Sequence, residues 1–555
     1  MTSNRSASTS ESSDPVRTHL AAIAALEAGY PRKAAALCEQ VAAHLASDAG
    51  FLLTRGESLR QLGKRTDALA LFRHALRLEP MSPPVHLSLA TSLCELGARD
   101  EAIKYVRKAV ELDPGNAHAH YVEALVRIEN LELQSAIDSL RLLLDLAPDH
   151  RPGLSTLLYL LNLIPGLNPA SVAEEHCARV ERCYPSAAPP DRCKARGAER
   201  LRIGFLSADL RDHPVGRFVA PLFEHLDRRQ FDIHAYSTGA SHDAVAQHLR
   251  LNVDHWIDAR EWSDQELEAR LRMDRLDLLV EMSGHTFGQR LAVLARRPAP
   301  CQVSWLGYPN TTGLRAIDYR LVDNVLIPPM ETFPGSETVV RLPGSFACFW
   351  PDANVPDAAH HPEGPIIFGS LHRLEKLSDK VVELWAGLLH AQPEARLLIA
   401  RDQLDPRRQI QLRQRFASAG VAPARLDLRQ LPPDAESHMS LFNQIDVLLD
   451  VFPWSGHTLA CESLWMGVPV ITLRGDSVAG RLTCSALTAA GCKEWIASDT
   501  RDYGLLAQRL ALDVESIRHR RVGLRSRVQQ SRLTDAPAFA RAFGDALAAI
   551  AQGKP

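Results

Sequence analysis

The segment DVFPWSGHTLACESLWMGVPVITL, Asp450 to Leu473, holds the chain's strongest candidate for anion binding. A strand ends, a short turn holds Ser455 and Gly456, and a helix begins near His457 or Thr458. Unpaired backbone N–H groups and the helix dipole favour an anion there by about 0.3–1 kcal/mol at exposed sites. Gly456 lets a phosphate approach the backbone, and His457 and Thr458 add hydrogen-bond donors. Glu462, one turn on, points back to the loop and can accept from sugar hydroxyls. The same residues also fit a capped helix start with a buried histidine.

Three further loops carry polar groups beyond what packing requires. In SADLRDHPVGRF, His213 follows a strand and precedes a proline. Its imidazole titrates in the range that suits proton transfer near neutrality, although many loop histidines are merely exposed. EMSGHTFGQR sets Gly284, His285 and Thr286 after another strand. SLHRLEKLSDK sets His372, Arg373 and Lys376 after a third, where a cation suits a diphosphate and a solvated charge is the plainer alternative. No Asp-x-Asp pair follows a strand at a cleft position: Asp209 and Asp212 are too widely spaced, as are Asp446 and Asp450. A metal-free mechanism is therefore expected, and no metal ligand is assigned.

These loops need a scaffold of strands. LRIGFLSADL, FDIHAYST, LDLLVEM, CQVSWLG and DYRLVD read as one βα series. PIIFGSL, ARLLIA, RLDLRQ, DVLLD and VPVITL form a second, after a proline- and glycine-broken stretch from Pro343 to Pro365. Two successive series with a hinge between them predict two Rossmann-like lobes facing a cleft, with ligands at the carboxyl ends of the strands.

The first third is different. Ala34, Ala68, Ala102, Ala136 and Ala170 are each 34 apart, as are Gly29, Gly63 and Gly97, and Pro80, Pro114 and Pro148. A 34-residue period in three residue types is the signature of tetratricopeptide repeats, an α-solenoid whose concave face takes extended peptides or other proteins. Gly56 falls where two helices approach closely, and the prolines end repeats because they cannot continue a helix. The fourth unit loses its turn glycine, and a worn fifth surrounds Ala170. The predicted divisions are a disordered tail over 1–16, the array over 17–183, a linker over 184–200, an N-terminal lobe over 201–343 and a C-terminal lobe over 344–555.

Composition narrows the class without naming a ligand. With 46% hydrophobic and 23% charged residues the chain reads as globular, and a net charge of −3 gives no reason to expect nucleic acid or an acidic membrane. The start, MTSNRSASTSESSDPVR, lacks the apolar core of a secretion signal, and no apolar run approaches membrane-spanning length. The ten cysteines show no metal or redox spacing, which suits reduced thiols in a cytoplasmic protein.

Taken together, the repeats, HPVGRF, MSGHTFG with WLGYPNTTG, and PWSGHTLACESLWMGVPVITLRGDSVAGR resemble the nucleocytoplasmic O-GlcNAc transferases, in the family that also holds the SPINDLY-type protein O-fucosyltransferases. The resemblance implies a GT-B fold, an inverting mechanism without a cofactor, and transfer of GlcNAc from UDP-GlcNAc to Ser or Thr of proteins. It implies that Lys376, nine residues before Trp385, contacts the donor diphosphate with Gly456, His457 and Thr458. Leu459 stands where the family carries a second threonine, and FGSLHRLEK departs from its phenylalanine–asparagine stretch. Glu462 matches an acidic position that touches sugar or ribose, and His438, eight residues before Asp446, a histidine beside the base. His213 matches a histidine read either as general base or as an orienting group. Gly307 and Tyr308 of WLGYPNTTG join Gly284, His285 and Thr286 as a candidate active-site loop. Three readings follow: GlcNAc transfer to protein acceptors held on the concave face, fucose transfer from GDP-fucose, or a repeat scaffold that no longer catalyses. Self-association into a homo-oligomer is a further role open to the array.

Overall fold

The computed structural model describes residues 14–185, 200–351, 355–358, 364–431 and 438–554. Most of the expected tail and nearly all of the expected linker lie outside these residues. Contacts group the chain into two compact units, residues 1–153 and 154–555.

In the first unit, four helix pairs follow the 34-residue period: α1 (Pro15–Glu27) and α2 (Pro31–Val41), α3 (Ala49–Gln61) and α4 (Arg65–Leu78), α5 (Pro83–Glu95) and α6 (Arg99–Leu112), α7 (Ala117–Glu129) and α8 (Leu133–Leu146). The expected alanines Ala34, Ala68, Ala102 and Ala136 are fully buried. A Cβ on Gly56 would lie 2.4 Å from the Phe72 ring, so the helix crossing there requires glycine. Gly29, Gly63 and Gly97 each turn the chain at φ 78–79°, the left-handed conformation that ends a helix cheaply only in glycine. Leu131, one period after Gly97, takes the same turn at φ 63°. The fourth repeat thus keeps the turn and pays strain for losing its glycine. Two histidines one period apart also belong to the repeat: His86 Nε2 bonds the Pro80 carbonyl and His120 Nε2 the Pro114 carbonyl, both at 2.9 Å.

Residues after Gly153 depart from the expected array. Helix α9 (Arg151–Leu161) enters the second unit, and α10 (Pro169–Cys183) lies wholly within it. Ala170, which continues the alanine register, is exposed, so the period survives there without its packing role.

The second unit carries two parallel sheets. The first has seven strands among the described residues: Leu201–Ser207 (β1), Phe231–Ser237 (β2), His255–Asp258 (β3), Leu278–Glu281 (β4), Gln302–Ser304 (β5), Tyr319–Asp323 (β6) and Thr338–Leu342 (β7), in the order β3-β2-β1-β4-β5-β6-β7. The second has Ile367–Ser370 (β8), Arg396–Arg401 (β9), Leu426–Gln430 (β10), Val447–Leu449 (β11), Val470–Leu473 (β12) and Ile496–Ala497 (β13), in the order β10-β9-β8-β11-β12-β13. Inner strands such as IGFL in β1 and VLL in β11 are continuous buried apolar runs, as parallel strands covered on both faces must be.

One element crosses back. The last helix, Ala536–Ala551, lies within the expected C-terminal lobe, but Phe539, Phe543, Leu547 and Ile550 enter the core of the first sheet with Phe205, Val280 and Trp305. The Trp305 and Phe543 rings meet edge to face at 4.6 Å. The architecture is a tetratricopeptide solenoid followed by a two-lobed GT-B unit.

Candidate functional site

A cleft of about 760 Å³ in the second unit is lined from both lobes. It brings together His213, Lys376, His438, Gly456, His457, Thr458 and Glu462, with Gly307 on the opposing wall.

The anion-binding start is built from below. Asp450 follows β11 and is 1% exposed. Its Oδ1 accepts the Gly456 N–H at 2.8 Å and its Oδ2 the Thr472 hydroxyl at 2.7 Å. Burial opposes ionisation of Asp450, but His372 and the hydroxyl donors outweigh it and hold the carboxyl below its usual range. His372, also buried, has Nδ1 2.9 Å from Ser370 Oγ and Nε2 3.1 Å from Asp450 Oδ1. The Gly456 amide is therefore spent on Asp450. No side chain caps the helix His457–Trp465, so the anion-facing donors are the amides that follow Gly456, beginning with His457 and Thr458.

Two cationic or polar heads flank this start. Lys376 donates from Nζ to the Ser455 carbonyl at 3.1 Å and sits 4.6 Å from the centroid of the Trp454 ring. Burial depresses its ammonium to about 7, partly against the pull of Asp450. The His457 ring lies between Phe218 and Phe346, at 4.8 and 5.0 Å between centroids. Burial drives its pKa to about 4, and its Nε2 has no hydrogen-bond partner among the described residues. A neutral imidazole with an unused nitrogen is a ready hydrogen-bonding group for a polar ligand. At the far end His438 Nε2 lies 2.7 Å from the buried Glu462 Oε2.

His213 comes from the other lobe, at the start of helix α11 (Pro214–His225). Its Nδ1 accepts the Val215 N–H at 3.3 Å and lies 3.6 Å from Asp209 Oδ2. Burial lowers its pKa against the attraction of Asp209, with Arg211 and Arg373 acting in the same direction as burial. A nitrogen that accepts an amide carries no proton. The neutral ring therefore holds its proton on Nε2, as a donor.

The loop after β4 serves packing instead. His285 is 2% exposed, with Nε2 donating to the Thr312 carbonyl at 2.8 Å and Nδ1 3.3 Å from Ser155 Oγ. Thr286 turns its hydroxyl to the Ser283 carbonyl. A Cβ on Gly284 would strike Tyr308 at 2.3 Å. The Tyr308 hydroxyl is held by Leu158, Asn162 and His176 at 2.7–2.9 Å. These residues join α9 and α10 to the first lobe. Of the candidate loop only Gly307 lines the cleft, and a Cβ on it would lie 1.9 Å from the Met282 carbonyl oxygen. Tyr159 also lines the cleft without a motif to announce it, its ring 4.9 Å from that of Trp454 in the segment PWSGHTL.

Two Rossmann-like lobes thus enclose an uncapped helix start, a lysine and a histidine, an arrangement suited to a ligand that carries a diphosphate. The model of Glycosyl transferase family 41 matches residues 178–348 and 356–543, and a tetratricopeptide repeat model matches residues 59–126. The chain belongs to glycosyltransferase family 41. It is 34% identical over 413 residues to a probable UDP-N-acetylglucosamine–peptide N-acetylglucosaminyltransferase SPINDLY of Solanum lycopersicum, covering 72% of this chain and 44% of that one. It is 21% identical over 476 residues to a Caenorhabditis elegans UDP-N-acetylglucosamine–peptide N-acetylglucosaminyltransferase, covering 64% of this chain and 41% of that one. The chain thus spans less than half the length of these relatives. A solved O-GlcNAc transferase mutant of Thermobaculum terrenum superposes with a TM-score of 0.80 at 33% identity, over 92% of this chain and 98% of that one.

Proposed function

We propose that this chain transfers N-acetylglucosamine from UDP-GlcNAc to Ser or Thr hydroxyls of proteins, with inversion and without a metal. The carrying observation is the cluster of Lys376 Nζ, the Ser455 carbonyl and the uncapped helix start beside His457 and Thr458. The acceptor oxygen attacks the anomeric carbon while the bond from that carbon to the diphosphate oxygen breaks. The leaving diphosphate gains charge, which an ammonium and fixed amide dipoles stabilise most in a closed site. Glu462 and His438 lie where the ribose, base or sugar is recognised. Calorimetry with UDP and GDP tests the donor. Tighter GDP binding would favour the fucose reading, and failure to bind either would sink both.

Diphosphate neutralisation by Lys376 and the helix amides leaves no need for a divalent ion. UDP affinity is expected to be the same with and without excess EDTA, and a large loss on chelation would overturn the metal-free reading.

His213, with its proton on Nε2, orients the acceptor or donor sugar by donating a hydrogen bond, and the hydroxyl proton passes to an oxygen of the leaving diphosphate. His213→Gln, which keeps an N–H of similar reach, is expected to retain clearly more turnover than His213→Ala. Equal collapse of both variants, with a rate that falls below the pKa of His213, would identify a general base instead.

The repeats are proposed to present protein acceptors. Removing residues 1–118 spares α9, α10 and every proposed donor contact, so UDP affinity should persist. Glycosylation of a protein acceptor should then fall much more than hydrolysis of the nucleotide sugar. Unchanged glycosylation would assign the array another role.

A further inference from the structure

A side-chain cluster away from the cleft carries an inference independent of the proposed transfer. Asp232 and His234 are two apart on β2, so their side chains leave the same face of the sheet. The parallel register sets His234 opposite His255 on the edge strand β3. His234 Nε2 lies 3.5 Å from Asp232 Oδ2, and His255 Nε2 lies 3.4 Å from Asp232 Oδ1. The two imidazoles stack at 4.2 Å between centroids, and one donor atom from each of the three residues lies within 4.8 Å of the others.

The cluster contains an unexplained polar group. His234 is 6% exposed, yet neither of its ring nitrogens has a hydrogen-bond partner among the described residues. A buried imidazole in that state forfeits the hydrogen bonds water gave it, with only the long 3.5 Å contact to Asp232 in return. Its neighbour on the same face behaves conventionally: Tyr236 donates its hydroxyl to Asp274 at 2.6 Å.

We propose that Asp232, His234 and His255 form a binding site for a divalent ion of borderline softness, zinc by preference, with a coordination position left to water. Two neutral imidazoles and one carboxylate are the donor set such ions select, whereas magnesium and calcium prefer oxygen alone. A tetrahedral zinc spaces its ligand atoms at about 3.3 Å, so the present cluster closes on the ion by side-chain rotation. His255 supplies that freedom, because its side chain is 50% exposed. Asp232 is available as a ligand. Its contacts with Arg200 and Arg202 are long, 3.9 and 4.0 Å, and Arg200 instead bonds Asp254 at 2.8 Å. A bound ion clips the edge strand β3 to β2. Asp232 and His234 precede Ser237, the carboxyl end of β2, so the site stands back from the strand ends that bear the donor loops.

The test is a titration of the full-length, chelator-stripped protein with zinc chloride against a colorimetric zinc chelator. One tight equivalent per chain is expected. His255→Ala changes a half-exposed side chain, so the fold is kept. It should weaken that equivalent by more than about 100-fold, beyond the loss from removing an outer-shell partner. His234→Gln should do the same. Cobalt in place of zinc should give tetrahedral ligand-field absorption that both variants lose, while UDP affinity stays unchanged. Absence of a tight equivalent in the unmodified chain, or its retention in both variants, overturns the proposal.

Discussion

Gly456→Ala is expected to remove donor binding while the global fold persists. A Cβ at this position would lie 2.2 Å from His372 Nε2, 2.6 Å from its Cδ2 and 3.1 Å from Asp450 Oδ1. The glycine has φ −102°, so alanine meets no backbone strain and the whole effect comes from close approach. His372 cannot yield easily, because Ser370 fixes its Nδ1 and its Nε2 already lies 3.1 Å from Asp450 Oδ1 in a site 1% exposed. The helix start must move instead. Overpacking of this kind costs about 1–3 kcal/mol, and the shift carries the amides after Gly456 away from the diphosphate. UDP affinity should drop by at least about 100-fold, or near 3 kcal/mol. Calorimetry beside a thermal melt separates lost binding from unfolding. Adding His372→Ala to the same chain should restore room and part of the affinity. A Gly456→Ala protein that binds UDP normally would show that the diphosphate does not rest on this turn.

The second large effect is that of Lys376→Ala. The ammonium supplies a charge-assisted contact worth roughly 1.5–3 kcal/mol, so turnover should fall by about 10- to 100-fold in a protein that remains folded. A pH signature distinguishes this role from packing. With its pKa depressed to about 7 in the free cleft, Lys376 is largely neutral in alkaline solution. Binding a diphosphate raises that pKa, so binding takes up a proton. UDP affinity should therefore fall as pH rises above about 7, by up to about tenfold per unit, and flatten once the bound-state pKa is passed. The slope should vanish in Lys376→Met. A parallel slope in the variant would place the titration elsewhere.

The sequence displayed some of this machinery and concealed the rest for physical reasons. The repeats were legible because packing fixes residue type at one position in each repeat: Ala34, Ala68, Ala102 and Ala136 fill the same crossing. Ala170 matched the register by letter alone. The inner strands were legible as unbroken apolar runs, while β3, β7 and β13 are short or polar edge segments such as HWID and TVVRL, which carry no such run. That His213, Lys376 and His457 line the cleft was legible because strand ends open onto it. His285 follows a strand in the same glycine-bearing pattern, yet α9 and α10 cover it. Whether a polar loop opens or closes depends on what packs above it, and spacing along the chain does not encode that. The same holds for Asp450 beneath Gly456 and for His255 beside His234, pairs that only the folded strands create.

The last helix has a consequence for the order in which the protein forms. Phe539, Phe543 and Leu547 complete the core around Phe205 and Trp305, which are translated more than 200 residues earlier. Chains emerge from the ribosome amino end first and ordinarily fold domain by domain in that order. Here the first lobe keeps an apolar face uncovered until residues 536–551 have been made, whereas the strands of the second lobe, the latest of them Ile496–Ala497, are complete before that. A nascent chain arrested before residue 536 therefore exposes the face of β1 and β5 to chaperones and proteases. Loss of residues 536–551, distant in sequence from the residues that line the cleft, would uncover the core of the lobe that carries His213.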